Sequence, residues 1–237
     1  MKIKQKFIDR EKVLNNPLPV IAFIGDSVTQ GCFECFFNEN NQIDTVFRPH
    51  LAYSRLVADK LTAVYERVPP VIINAGISGD TAWGISQRLA RDVLPFNPDL
   101  TVVSCGLNDC NVGNFEVFTD SLKKVFTDLK NAGSEVIFLT ENMMCTYVSP
   151  MLTDKRLVEV AERSMNKQNG GEMDKFVQGA ISVANECGVR VCDCYAKWKE
   201  MAENGVDTTA LLSNGINHPT AQMLDLFAQE LVKIILD

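Results

Sequence analysis

Positive charge is scarce in this chain. Its 237 residues hold 23 Lys and Arg against 30 Asp and Glu, a net charge of -7 and a pI of about 5.0. With no cationic surplus to neutralise phosphates, nucleic acid and anionic membranes are disfavoured as partners. Long apolar runs are also missing, and none could span a bilayer. The first residues, MKIKQKFIDREKVLNNP, are basic like a secretion signal, but no apolar segment follows, so a cytoplasmic protein is expected. There is no internal repeat, no low-complexity tract and no Pro/Gly/Ser linker. The expectation is one domain over residues 1–237, with residues 1–17 as an N-terminal extension. Cysteine is present eight times, but the Cys32/Cys35 pair has no second pair at zinc-finger spacing, so the thiols read as reduced and no metal is expected. Histidine occurs only twice, as His50 and His218.

What is present is a regular alternation. Five short apolar runs, Pro19–Ile24, Val71–Asn74, Leu100–Cys105, Glu135–Thr140 and Val189–Cys194, read as strands buried on both faces. Between them run stretches of helical period: Leu51–Tyr65, Thr81–Val93, Phe115–Lys130, Thr153–Glu186 (interrupted near Asn169-Gly170-Gly171) and Thr220–Leu236. Strands alternating with helices predict a three-layer α/β/α sandwich, a flavodoxin-like fold around a five-stranded parallel sheet. In such sheets function gathers beyond the C-terminal strand ends.

The predicted strand ends carry Gly25-Asp26-Ser27, Ser78-Gly79-Asp80-Thr81 and Gly106-Leu107-Asn108-Asp109, and the last helix is preceded by Asn214-Gly215-Ile216-Asn217-His218-Pro219. These are the parts of an acyl-transfer site. A serine hydroxyl needs an adjacent base, and His218, ahead of a proline that favours a first helical turn, is the candidate. The tetrahedral intermediate needs oriented donors, which the backbone of Ser27 and Gly79 and the amide of Asn108 can supply.

GDS, SGDT, GLND and HP, in this order from Val20 to about Ala228, resemble the four blocks of the SGNH hydrolase (GDSL lipase/esterase) superfamily. The resemblance implies Ser27 as nucleophile, His218 as base, an oxyanion hole of Ser27, Gly79 and Asn108, and no metal or organic cofactor. One position departs from the family pattern. Where an Asp usually precedes the histidine, this chain has Asn214. Three outcomes stay open: Asn214 orients His218, another acid such as Asp207 or Asp193 does, or the enzyme is weak. Asn214 is the favoured orienter.

Plainer roles exist for each residue. Ser27 can be a helix cap, His218 can cap the last helix, and Asn108 and Gly79 can be turn residues. Asp80 reads as a helix N-cap and Asp26 and Asp109 as turn acceptors rather than as a metal cluster. His50 is expected to start the first helix, Arg48 to be an exposed salt-bridging residue, Trp83 and Trp198 to be partly buried, and Phe33, Phe36 and Phe37 either to line a pocket or to cover the sheet. The preferred function is a serine-dependent carboxylic-ester hydrolase acting on a small-molecule ester, with acetylated sugars a modest favourite. The alternatives are an acyltransferase using the same acyl-enzyme and a flavodoxin-like binding domain without catalysis. Oligomeric state and acyl chain length are not legible.

Overall fold

The computed structural model describes residues 1–237. The N-terminal residues form a helix, α1 (Lys2–Lys12), which buries Ile3 and Phe7. Phe7 stacks on Tyr65 with ring centroids 4.9 Å apart, and the backbone N–H groups of Lys2 and Ile3 donate to Glu135. This N-terminal segment packs on the core.

β1 (Val20–Gly25) buries Ile21, Ala22, Phe23 and Ile24 completely. A strand with no polar face must be covered on both sides, and burying each of its larger apolar side chains contributes roughly 1.5–3 kcal/mol. Asp26 then caps a single turn, α2 (Ser27–Gln30), by accepting a hydrogen bond from the Val28 N–H. An antiparallel hairpin follows, β2 (Cys32–Phe37) with β3 (Ile43–Phe47), separate from the main sheet and absent from the sequence reading. His50 is exposed in a short 3-10 turn and does not start a helix.

Next come α3 (Tyr53–Val64), β4 (Val71–Gly76), α4 (Ala82–Asp92), β5 (Leu100–Ser104), α5 (Leu107–Val112), α6 (Phe115–Asn131) and β6 (Glu135–Leu139). The predicted long helical region is two helices, α7 (Lys155–Asn169) and α8 (Glu172–Glu186), broken at Gly171, whose φ of 78° suits glycine. β7 (Arg190–Cys192), α9 (Cys194–Glu203) and α10 (Ala221–Leu236) complete the chain.

The five strands are all parallel, in the order β4-β1-β5-β6-β7. α3 packs on α10 on one side of the sheet, and α4, α6 and α8 pack together on the other. The three-layer α/β/α architecture is the predicted one. Not every strand is buried on both faces, however: β4 lies at the edge and is only partly covered, while β1 and β5 occupy the interior. The order reverses around β1 and β5, and a crevice opens there at the carboxyl ends of the strands. No helix is long and apolar enough to cross a membrane.

Candidate active site

Two glycines allow the turn after β1. A Cβ on Gly25 would lie 2.2 Å from the Ser104 carbonyl oxygen, and one on Gly76 would lie 2.3 Å from the Gln30 backbone nitrogen. Only hydrogen fits where α2 folds back over the ends of β4 and β5. This contact holds Ser27 at the sheet edge.

His218 meets Ser27 across 191 positions of chain. Its Nε2 lies 2.9 Å from Ser27 Oγ, and both residues are buried, at 3% and 4% exposure. His218 Nδ1 lies 2.6 Å from the Phe33 carbonyl oxygen. A carbonyl only accepts, so Nδ1 carries the proton and Nε2 is the free acceptor for the serine O–H. This is the tautomer a general base requires. Burial pushes the imidazole below its usual 6.5, opposed by the bond to Phe33 and by the charge of Glu34, so the ring is neutral at pH 7. The first helical turn expected at Pro219 is not formed. Pro219 bridges Leu212 instead of entering the first turn, and Thr220 occupies the cap of α10.

Asn214 does not bond the imidazole. Its Oδ1 accepts the backbone N–H groups of Ile216, Asn217 and His218, each at 2.9 Å, and its Nδ2 donates to Asn217 Oδ1 and to Cys35 Sγ. Asn214 therefore shapes the loop that presents His218, while the Phe33 carbonyl takes the place expected for an orienting side chain. The other two candidate acids stand elsewhere: Asp207 accepts from the Tyr147 hydroxyl, and Asp193 caps α9. Cys35 Sγ lies 3.7 Å from Nδ1. Glu34, the acid whose charge reaches His218, is held by Arg48 at 2.6 Å. The salt bridge expected of Arg48 is present, at the base of the hairpin.

The donors expected for an oxyanion differ in readiness. The backbone N–H groups of Ser27 and Gly79 make no hydrogen bond within the protein, and Gly79 adopts a φ of 81° with open space around it. The Asn108 amide is already engaged, donating to Asp26 Oδ2 at 3.1 Å and to the Asp80 carbonyl at 3.0 Å. It ties down the residue next to Gly79 and can reach a ligand only by sharing a hydrogen. Ser27, Gly79, Asn108, Asn214 and His218 all line one cavity of about 290 Å³, with Ser78, Asn111, Ser164, Asn217 and Leu157 among its walls.

The carboxylates around this site are structural. Asp26 caps α2; Thr81, not Asp80, caps α4, while Asp80 pairs with Arg88 at 2.6 Å. Asp109 accepts from the Ala82 N–H, and burial, reinforced by the charges of Asp26 and Asp80, pushes it up to about 7. Trp198 is fully buried, Trp83 is largely exposed, and Phe33 is buried whereas Phe36 is not.

Fold and site together fit an ester-bond hydrolase of the α/β/α type. Residues 23–225 match the GDSL-like lipase/acylhydrolase family. The chain belongs to this family of ester-bond hydrolases. An acetylxylan esterase of Geobacillus stearothermophilus is 32% identical over 89 residues, an alignment that spans 38% of this chain and 39% of that relative's length. The crystal structure of an acetylxylan esterase from the same organism superposes with a TM-score of 0.67 at 19% identity, covering 92% of this chain and 94% of the other. A lipase/acylhydrolase from Enterococcus faecalis gives 0.67 at 23% identity, with 92% and 96% covered. A two-domain esterase active on acetylated mannans gives 0.69 at 17% identity over 99% of this chain and 53% of the other. These likenesses show the fold.

Proposed function

We propose that the protein hydrolyses short acyl esters, such as O-acetylated carbohydrates, through an acyl-enzyme on Ser27. The observation that carries this reading is the 2.9 Å contact between Ser27 Oγ and the unprotonated Nε2 of a buried, neutral His218. Ser27 Oγ attacks the ester carbonyl carbon as its proton passes to Nε2. The oxyanion forms against the free N–H groups of Ser27 and Gly79. Asn108 holds the Gly79 loop and shares its amide with the developing charge. The imidazolium returns its proton to the leaving alcohol, and water then repeats the sequence to release the acid. Throughout, the Phe33 carbonyl keeps the ring oriented, although as a neutral acceptor it stabilises imidazolium less than a carboxylate would.

The substrate class is supported by the cavity. It is small and edged by hydroxyl and amide groups from Ser78, Asn111, Ser164 and Asn217, which suits a short acyl group on a polyhydroxylated alcohol better than a long acyl chain. The named activities of the acetylxylan and mannan esterases point the same way.

The test is covalent labelling of the intact protein by a fluorophosphonate, together with assays on p-nitrophenyl esters of increasing chain length and on acetylated xylo-oligosaccharides. Ser27→Ala is expected to abolish labelling and to lower kcat at least ~10³-fold. Activity should be greatest on acetyl esters. Because the working base is neutral His218 with its pKa lowered, the acid limb of kcat/KM should fall below pH 6.5. Wild-type protein that takes no label, or a Ser27→Ala variant with unchanged activity, would overturn the reading.

A further inference from the structure

Behind the nucleophile lies a second carboxyl group that the reaction does not use. Glu141, just beyond the end of β6, is 1% exposed. Its Oε2 accepts the backbone N–H of Leu107, the first residue of α5, at 2.9 Å. Its Oε1 finds no N–H or hydroxyl donor. The group it does meet is the carboxyl of Asp26, which lies within hydrogen-bonding reach. Asp26 has no exposure at all. It already accepts from the Val28 N–H through Oδ1 and from Asn108 through Oδ2.

Two neighbouring carboxyl groups this deeply buried do not both ionise, and each oxygen of Asp26 already serves as an acceptor. The pair is complete only if Glu141 carries a proton and donates it to Asp26. We infer that Glu141 is a positioning residue which, as the neutral acid, locks Asp26, Asn108 and the start of α5 into one strut beneath the oxyanion site. This rests on the esterase reading above. Through Asp26 the strut reaches the turn that carries Ser27, and through Asn108 it reaches the Asp80 carbonyl beside Gly79. Both free oxyanion donors therefore depend on one shared proton. The electrostatics agree in direction: burial first, then the Asp26 charge, holds the Glu141 proton far above the usual carboxyl range, and burial pushes Asp26 up to about 6. The other ionisable groups acting on this pair are Asp80, Asp109, Cys32, Cys105 and Tyr53, all neutral or acidic. The one nearby cation, Arg88, is spent on Asp80, Asp92 and the carbonyls of Gly25 and Ala75. Loss of the proton at alkaline pH would leave two facing anions, and the strut would part.

The experiment compares wild type with Glu141→Gln and Glu141→Leu in the full chain. A glutamine amide accepts from Leu107 and donates to Asp26 at every pH, whereas leucine does neither. Glu141→Leu should lower kcat by about 10–10²-fold, part of what losing an oxyanion donor costs. Glu141→Gln should restore most of that rate and move the alkaline limb of kcat to higher pH, with KM little changed in both. Infrared difference spectra should show the carbonyl stretch of a buried protonated carboxyl at pH 7 in wild type and its loss in Glu141→Gln, whatever the activity or folding of the leucine variant. An alkaline limb that stays in place in Glu141→Gln, or a spectrum with no protonated acid assignable to position 141, would overturn the inference even with Ser27 labelling intact. Failure of the esterase reading shows separately, as wild-type protein that takes no fluorophosphonate, and would remove the catalytic role of the strut with it.

Discussion

The two halves of the candidate active site are built on opposite principles. The serine half rests on the ends of β1 and β5, in the interior of the sheet, and of β4 at its edge, with Asp26, Ser27 and Asp109 buried there. The histidine half rests on a two-stranded hairpin outside the sheet and on the Leu212–Pro219 loop, with Phe36, Ile43 and Phe47 exposed nearby. Its orienting group is a backbone carbonyl, its only nearby carboxylate is tied to Arg48, and no charge touches the imidazole. The serine half is fixed by the core. The histidine half is fixed by the hairpin, a two-stranded sheet separate from the main one. Changes at the close-packed glycines and at Asp109 on the serine side should therefore register mainly in stability, and those on the histidine side mainly in rate and pH profile.

The largest effect expected is at Gly76. Any side chain there strikes backbone atoms of Thr29 and Gln30, none of which can swing away. Gly76→Ala should cost more than about 4 kcal/mol and be seen as lost soluble yield or a collapsed Tm. A variant that folds with normal Tm would show the nucleophile turn to be far softer than its contacts imply.

Asp109→Asn comes next and should stabilise. Asp109 titrates near 3.8 when unfolded and near 7 when folded. The folded state thus holds the proton more tightly, a contribution fully present below pH 3.8 and lost as pH rises to about 7. An asparagine keeps an acceptor for the Ala82 N–H and does not titrate. Its advantage over wild type should grow between those pH values, to no more than about 4 kcal/mol. Unfolding at pH 5 and pH 8 checks this, and an advantage independent of pH would refute it.

The same contrast explains what could be read from the sequence. The serine half was legible because each of its parts is a side chain or glycine at the end of a strong apolar run: Ser27 after Val20–Gly25, Gly79 after Val71–Gly76, Asn108 after Leu100–Ser104. Much of the histidine half was not. The hairpin hides in CFECFF, an apolar run whose burial does not alternate cleanly, although Asn40-Asn41 and the alternating Ile43–Phe47 were available signs of a turn and a strand. The orienter is the carbonyl of Phe33, and a main-chain atom leaves no residue type to recognise. Asn214 was read as the orienter from the family pattern, and three backbone N–H groups claim its oxygen instead. Glu141 gave no signal, because a lone acid beyond a strand acquires its meaning only from the partner folded against it.

On the histidine side, Arg48→Ala should lower kcat/KM about tenfold with a stability change within about 1 kcal/mol, since the pair with Glu34 is part-exposed. Arg48 also lies over the Phe33 ring, 4.8 Å from its centroid, and so steadies the strand that offers the carbonyl. Its loss frees the Glu34 charge to act on His218, which should raise the imidazole pKa and move the acid limb of kcat/KM upward. A drop in rate with an unmoved acid limb would separate the mechanical role of Arg48 from its electrostatic one.

The smallest change expected is in Asn214→Asp, the substitution that restores the acid the family pattern would place there. An aspartate keeps all three backbone N–H bonds but loses both donations, so its second oxygen faces Asn217 Oδ1 and Cys35 Sγ. Asn217 can turn its amide around and the Cys35 thiol can donate, so the loop survives. The new charge lies close enough to favour imidazolium and should lift the acid limb, yet Nδ1 stays on the Phe33 carbonyl at 2.6 Å. The change in kcat should accordingly stay within about tenfold, measured on the best acetyl ester across pH 5–9. A gain approaching the ~10⁴ that separates Asp from Asn in a trypsin-type triad would mean that the imidazole leaves the carbonyl for the carboxylate, and that the hairpin is not what orients the base.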